Sequence, residues 1–304
     1  MSVTATQALF IKLGSGGEWE DECIKRSVLR IGFRKIPHEL CLAGDWRSVR
    51  EKFLEDGCTK GTAQMHTTEL ERFYTADKFT LWITFSNNRL YWGFVGGPVK
   101  TTREGYKERV VIRGWRNEDI NGAPLHSSQL SSKLTQVSGY RGTICNVTEF
   151  CYLKDRLNGT LPPEVQVAQR ARGALLVTLE PLIQNLTWRD FETLVDMVFT
   201  AGGWRRIGVL GKNEKDIDLD LQQPVTRERL FVQVKSKCDT ATLRKISTSI
   251  RSKPEYHRAF AVTHSFTGKL PNGLDPRLKL VQVSELSPLV LDAGLTDWLL
   301  EKSK

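Results

Sequence analysis

One run constrains this chain more than any other: DIDLDLQQPVTRERLFVQVKSK, residues 216–237. Successive side chains of a β-strand point to opposite faces. Over residues 216–221 that alternation sets Ile217, Leu219 and Leu221 on one face and Asp216, Asp218 and Asp220 on the other. Over residues 230–235 it turns Val232 and Val234 inward and gives Gln233 and Lys235 the opposite face. The link QQPVTRER is short enough for a hairpin-like connection, so the two polar faces can lie side by side. Hard divalent cations take oxygen ligands from carboxylates, amides and backbone carbonyls. A lysine beside such a cation can orient or help deprotonate a water. The plain alternative is charge pairing across neighbouring strands, and for Gln-Val-Lys alone it is the better reading, because short motifs match by chance.

The surroundings add order. TWRDFETLVDMVFTAGG reads as a helix with Thr187 as N-cap, acids in its early turns and Gly202-Gly203 as its stop. WRRIGVL reads as a strand, and the two strands above follow it. DTATLRKISTSIRS is a helix that Pro254 bars from continuing. RAFAVTH and RLKLVQV are strands, and SELSPLVLDAGLTDWLLEK is a closing helix. The order α-β-β-β-α-β-β-α predicts an α/β domain with a central mixed sheet.

FETLVDMVFTAGGW, then GKNEKDIDLDL, then FVQVKSK resembles, in that order, the PD-(D/E)xK nuclease superfamily. The similarity is greatest to its Mrr-like branch, where glutamine replaces the usual acid before x-Lys, and it spans roughly residues 187–265. The resemblance implies a restriction-endonuclease-like fold. It implies that Asp218, which follows Ile217, binds metal, that Gln233 is the second metal position and that the Val234 carbonyl is a backbone ligand. It makes Lys235 the catalytic lysine and Glu192 the helix acid that completes the site, although an ordinary exposed helix acid explains Glu192 equally well. Lys215 and Asp216 stand where that branch carries glycines, so Asp216 and Asp220 stay open as additional metal ligands. The implied cofactor is Mg²⁺, with Mn²⁺ able to substitute. The implied substrate is double-stranded DNA. One site per chain cuts one strand, so a homodimer is expected. Nine basic residues against three acids lie over residues 227–258, and Lys237, Arg244, Lys245 and Arg251 are candidates for phosphate contacts.

RLNGTLPPEVQ, residues 156–166, combines Asn-Gly with Pro-Pro and marks a seam. It divides a first domain, residues 1–160, from the nuclease-like domain, residues 161–304. The first domain reads as β-rich α+β. ALFIKLG, VLRIGF and ERVVIRGW are strands, EWEDECIKRS and SSQLSSKLTQV helices, and KFTLWITFSNNRLYWGFVG a hairpin turning at Asn87-Asn88. Many short strands suggest a small barrel or a strongly curved sheet. GSGG lacks the Gly-Lys-Ser/Thr of a phosphate-binding loop and reads as a tight turn. The short strands and aromatic supply resemble PUA-like readers (EVE, SRA and YTH domains), which hold a flipped base in an aromatic pocket. Trp19, Trp46, Trp82, Tyr91 and Trp92 are the candidate pocket residues, each of a type more often found in a core. Alternation alone leaves Trp82 in phase with either Leu90 or Tyr91.

Composition narrows the partner. The formal net charge of +9 over 304 residues favours an anionic partner, nucleic acid before a membrane surface. There is no apolar stretch of about eighteen residues that could form a spanning helix. The N-terminal MSVTATQALFIKLG lacks the basic and apolar regions of a signal peptide, so a cytoplasmic location is expected. The six cysteines show neither CxxC nor zinc spacing. The combined expectation is a Mg²⁺-dependent DNA endonuclease whose first domain reads a modified base, a modification-dependent restriction enzyme in phage defence. A non-cleaving nucleic-acid-binding protein on the same fold, and an RNA-directed nuclease, are the alternatives.

Overall fold

Alternating apolar residues build two separate sheets in this computed structural model, which describes residues 2–207 and 217–304. The chain divides into two units, Met1–Pro162 and Pro163–Lys304.

The first unit holds strands β1 (Gln7–Ile11), β2 (Val28–Ile31), β3 (Thr80–Ser86), β4 (Arg89–Thr101), β5 (Lys107–Arg116) and β6 (Ile144–Asn146) in the order β2-β5-β4-β3-β1-β6. The expected hairpin joins β3 to β4. Asn87 and Asn88 are both left-handed, at φ 47° and 60°, as a two-residue primed turn requires. Helices α1 (Glu20–Arg26), α2 (His38–Ala43), α3 (Trp46–Glu55) and α4 (Lys60–Thr75) cover the face that bears Trp82, Val95 and Val111. The other face, with Leu81, Ile83 and Leu90, packs on the short α5 (Ser132–Thr135) and on α6 (Phe150–Leu157). The sheet is therefore covered on both sides. It is open, with β2 and β6 as its edges. The α+β expectation matches; a closed barrel does not. The three helices α2–α4 lie outside the elements read from the sequence, and α4 turns Glu69 into the interior at 1 % exposure.

The second unit holds α7 (Pro163–Gln184), α8 (Trp188–Ala201), β7 (Arg205–Arg206), β8 (Leu219–Gln222), β9 (Arg229–Asp239), α9 (Thr240–Arg251), β10 (Arg258–Thr267), β11 (Leu278–Gln282), α10 (Val283–Asp292) and α11 (Thr296–Lys302). Its sheet runs β11-β10-β9-β8-β7, parallel from β9 to β11 and antiparallel from β7 to β9. This is the expected mixed α/β sheet. Leu179, Phe191, Leu194 and Leu286 close one face over Leu219, Leu230 and Val232. Leu243, Ile246 and Ile250 of α9 close the other over Phe231 and Ala259.

Three features depart from the sequence pattern. Pro163 does not extend a linker but opens the 22-residue α7, because a proline is at no disadvantage in the first helical turn, where its N–H would lack a partner anyway. The closing helix is two helices, since Gly294 at φ 71° ends the first turn sequence. The expected single apolar face of Ile217, Leu219 and Leu221 is split. Leu219 and Leu221 join the α7–α8 side, and Ile217 joins the α9 side. The ladder begins only at Leu219, so the residues before it do not follow strand alternation.

Helix α8 depends on its cap. The Thr187 hydroxyl oxygen accepts the Asp190 N–H at 3.2 Å, satisfying one of the unpaired donors of the first turn. Thr187→Ala is expected to destabilise the protein by about 1 kcal/mol, read as a lower urea midpoint with an unchanged slope.

Candidate active site

β8 and β9 pair antiparallel, Leu219 opposite Val232 and Gln222 opposite Arg229. Upstream of Leu219 the strand pairing ends. Asp218 keeps one backbone bond, from its N–H to the Val232 carbonyl at 3.2 Å. Its side chain then supplies the next rung. Oδ2 of Asp218 accepts the Val234 N–H at 2.6 Å and lies 3.3 Å from Nζ of Lys235. Charge-assisted bonds of this kind are about twice as strong as neutral ones. Among the described residues both contacts fall on Oδ2. The N–H and C=O of one strand residue point the same way. The Val234 carbonyl therefore faces the same side as the Asp218 carboxylate, beyond the last rung of β8. The Asp218 and Lys235 side chains are 28 % and 37 % exposed, so a large ligand can reach the pair.

Glu192 comes from α8, whose stripe of Phe191, Leu194, Val195 and Val198 is buried against the sheet. Glu192 sits at the margin of that stripe. Burial, and next the Asp218 carboxylate, push its carboxyl above the usual carboxylate range, while Arg206 and Lys235 pull the other way. Asp218, Lys235 and Glu192 thus share one electrostatic field. Gln233 is 8 % exposed, because both faces of β9 are covered from Leu230 to Gln233; the solvated polar face expected for Gln233 and Lys235 opens only at Lys235. Its amide makes no bond to Asp218, Glu192 or Lys235.

Asp220 is placed elsewhere. It forms an ion pair with Arg229 at 2.7 Å, and Arg229 also reaches the Tyr256 hydroxyl at 3.3 Å. For this one acid, cross-strand pairing is the explanation. Asp216 lies outside the described residues. Among the described residues no three His, Cys, Asp or Glu side chains group closely enough to hold a metal. The candidate set is instead two carboxylates, Asp218 and Glu192, with the Gln233 amide and the Val234 carbonyl. All four are oxygen donors of the kind hard cations take, and the mutual repulsion of the two carboxylates is what a cation would relieve.

One neighbour was not singled out by the sequence. Arg206, in β7, lies 3.9 Å from Asp196 and directs its guanidinium at the Asp218 carbonyl, at the 3.5 Å limit of a hydrogen bond. Trp188, Arg189, Glu192, Thr193, Asp196 and Arg206 line a cleft of about 310 Å³. The paired arginines of WRRIGVL were the available signal, but strand pattern alone does not say where they point. Lys237 lies near the end of β9, and Arg244, Lys245 and Arg251 lie on α9; all four are exposed. Among the described residues none of them pairs with an acid, and the Arg251 guanidinium donates to the Gly273 carbonyl.

The five aromatic candidates of the first unit do not gather into one pocket. Trp82 is wholly buried. The register sets it opposite Gly93, in phase with Tyr91 rather than Leu90. Trp92 is on the opposite face of the sheet. Trp19 stands edge-on to Tyr106, and Trp46 edge-on to Tyr74.

A family model described as a restriction endonuclease, Mrr_cat, matches residues 183–287. That span runs from the end of α7 into α10 and contains Glu192, Asp218, Gln233 and Lys235. It supports an Mrr-like nuclease domain in the second unit and does not reach the first. No curated protein and no solved structure matches the chain.

The shared field makes a signed prediction. Asp218→Asn removes a repelling charge and should lower the Glu192 pKa toward 4.5, whereas Lys235→Ala removes an attracting one and should raise it. A ¹³C-carboxyl titration by NMR reads both; if neither substitution moves Glu192, the three groups do not form one site. Because the folded pKa is the raised one, Glu192 favours folding fully below pH 4.5, and that contribution fades as pH rises through the folded value.

Proposed function

We propose that the protein is a divalent-metal-dependent endonuclease that hydrolyses phosphodiester bonds of double-stranded DNA. The observation that carries this reading is the Asp218 carboxylate, bonded to the Val234 N–H and Lys235 within the span that matches a restriction endonuclease. Asp218, Glu192, the Gln233 amide and the Val234 carbonyl are the groups that would hold the metal. Mg²⁺ bound there, or Mn²⁺ in its place, supplies Lewis acidity that polarises a phosphate oxygen and lowers the pKa of a water.

The chain's own groups do the rest. The Val234 N–H fixes the Asp218 carboxylate in one orientation before any substrate arrives. Lys235 is a fixed ammonium that orients the attacking water and faces the charge that grows on the phosphate. Arg206 offsets the negative charge of Glu192 and Asp196. Lys237, Arg244 and Lys245, together with Arg251, offer cations to the flanking phosphates.

Double-strand cleavage calls for two copies of a one-strand site, and a homodimer on DNA follows. The first unit serves as the DNA reader that limits cutting. Recognition of a modified base there would make the protein a cytoplasmic, modification-dependent restriction enzyme in phage defence.

Nicking of supercoiled plasmid tests the core of this reading. Wild-type protein should convert plasmid with Mg²⁺ or Mn²⁺ and not with EDTA. Lys235→Ala and Asp218→Ala should each cost about 10²-fold or more in rate, the scale of losing one aligned electrostatic group. Matched substrates carrying cytosine, 5-methylcytosine, 5-hydroxymethylcytosine or 6-methyladenine test the reader role. If every one of these DNAs survives both metals, the enzyme reading fails; cutting of RNA alone would reassign the substrate.

A further inference from the structure

The first unit contains a cleft of about 520 Å³ that the nuclease chemistry leaves unused. It lies along the β4–β5 ladder and owes its existence to a break in that ladder. Trp92 pairs with Arg116 and Phe94 with Ile112. Two steps along β4, from 92 to 94, thus match four along β5, from 112 to 116. The surplus bulges at Arg113 and Gly114, both left-handed, at φ 62° and 77°. Glycine takes that conformation freely, and arginine only under strain. Bulges of this kind re-aim side chains, and strained residues persist where a site uses them.

The lining is aromatic and cationic. Trp92 forms the floor, fixed by its Nε1, which donates to the Glu118 carbonyl at 2.8 Å. The Arg116 guanidinium lies 4.9 Å from the Trp92 ring centre. Phe94 stands edge-on to Trp92, with ring centres 6.4 Å apart. Phe79 is 45 % exposed, with the Lys78 ammonium 5.1 Å from its ring centre. Among the described residues no acidic side chain lines the cleft. Among the described residues Lys78, Arg113 and Arg116 have no acid as ion-pair partner. The adjacent Asp77 is committed to its own loop, where its carboxylate accepts from the Phe79 N–H at 2.9 Å and the Thr80 hydroxyl at 2.9 Å.

An exposed ring, one arginine and one lysine held near aromatic faces and a surplus of unpaired positive charge suit a planar ligand that bears an anion. The volume falls in the range of roughly 300–1,000 Å³ typical of small-ligand sites. We propose that this cleft binds one nucleotide unit, its base stacked on Phe79 above the Trp92 floor and its phosphate met by Arg113 and Arg116. The proposal rests on the reading of the chain as a nucleic-acid-directed protein, but it is a claim about binding and needs no cleavage.

The test is therefore made on the full chain in EDTA, where the cutting reaction is off. Anisotropy of a fluorescein-labelled 12-nucleotide single strand gives the affinity. Phe79→Ala and Arg116→Glu should each weaken binding about tenfold or more, the loss expected of one stacking or one phosphate contact. Arg47→Glu, at a position on α3 that is 90 % exposed, makes the same charge change away from the cleft and should stay within about twofold. Circular dichroism confirms that each variant is folded. Displacement of the strand by millimolar dAMP or dCMP means that a free nucleotide fills the site; displacement only by unlabelled strand means that the nucleotide must be presented by a chain. Either result supports the site when the two cleft variants lose it. Retention of wild-type affinity in both cleft variants, or an equal loss in Arg47→Glu, overturns it. Because no metal is present, this outcome is independent of whether plasmid is nicked.

Discussion

The bond from the Val234 N–H to the Asp218 carboxylate is the constraint on which the second unit's site depends. Without it, the end of the β8–β9 ladder would leave an N–H of a central strand without a partner, a costly orphan in a half-buried position. The side chain fills that role, and in doing so it locks the carboxylate beside the next residue of the same strand. Lys235 follows Val234 in the chain, so its ammonium reaches the same oxygen. One hydrogen bond thus completes the sheet and sets the distance between an acid and a base. Glu192 then needs only the ordinary packing of α8 on the sheet to complete the group.

The same bond shows what the sequence could and could not reveal. Alternation placed Asp218, Gln233 and Lys235 on adjacent strands, and the register of Leu219 with Val232 bears out that pairing. Alternation could not say where the ladder stops. Ile217 and Asp218 lie just beyond its end, so the rule that holds for Leu219 and Leu221 fails for Ile217. It also treats every strand as having one wet face. β9 is flanked by β8 and β10 and covered by helices on both sides, which is why Phe231 and Val232, neighbours on opposite faces, are both fully buried. Two of the acids of the run, which look equivalent in sequence, are distinguished by packing: Asp220 is spoken for by Arg229 and Asp218 by the backbone.

In the first unit the legible part was local. The Asn87-Asn88 turn needs φ above zero at both residues, and asparagine tolerates it, so the hairpin could be read from two letters. The aromatic residues could not be read this way. Whether a tryptophan in a strand meets solvent depends on which helices cover its face, and Trp82 lies under α4 against Phe73 while Trp92 faces the other side. The cationic residues around the exposed cleft escaped notice for a related reason. Arg113 and Arg116 are made neighbours of Trp92 by a bulge, and a bulge changes register without a sequence signature beyond one glycine.

A fold selected for stability alone would not arrange the second unit's site in this way. Glu192 is held where burial and a second carboxylate both oppose its charge, and Asp218 keeps a partly exposed carboxylate whose contacts among the described residues use one oxygen. Neutral residues would avoid both costs. Groups kept in such a state mark sites where the charge is to be answered by something that binds. Here the two partial answers within the chain, Lys235 and Arg206, reduce the repulsion on Glu192 without cancelling it. Under the proposed reading a cation would add what is missing, and it would stand with Lys235 against the negative charge of a phosphate. On that reading metal and substrate would favour each other's binding, because the charge that burial and Asp218 oppose at Glu192 would be answered only in the assembled complex.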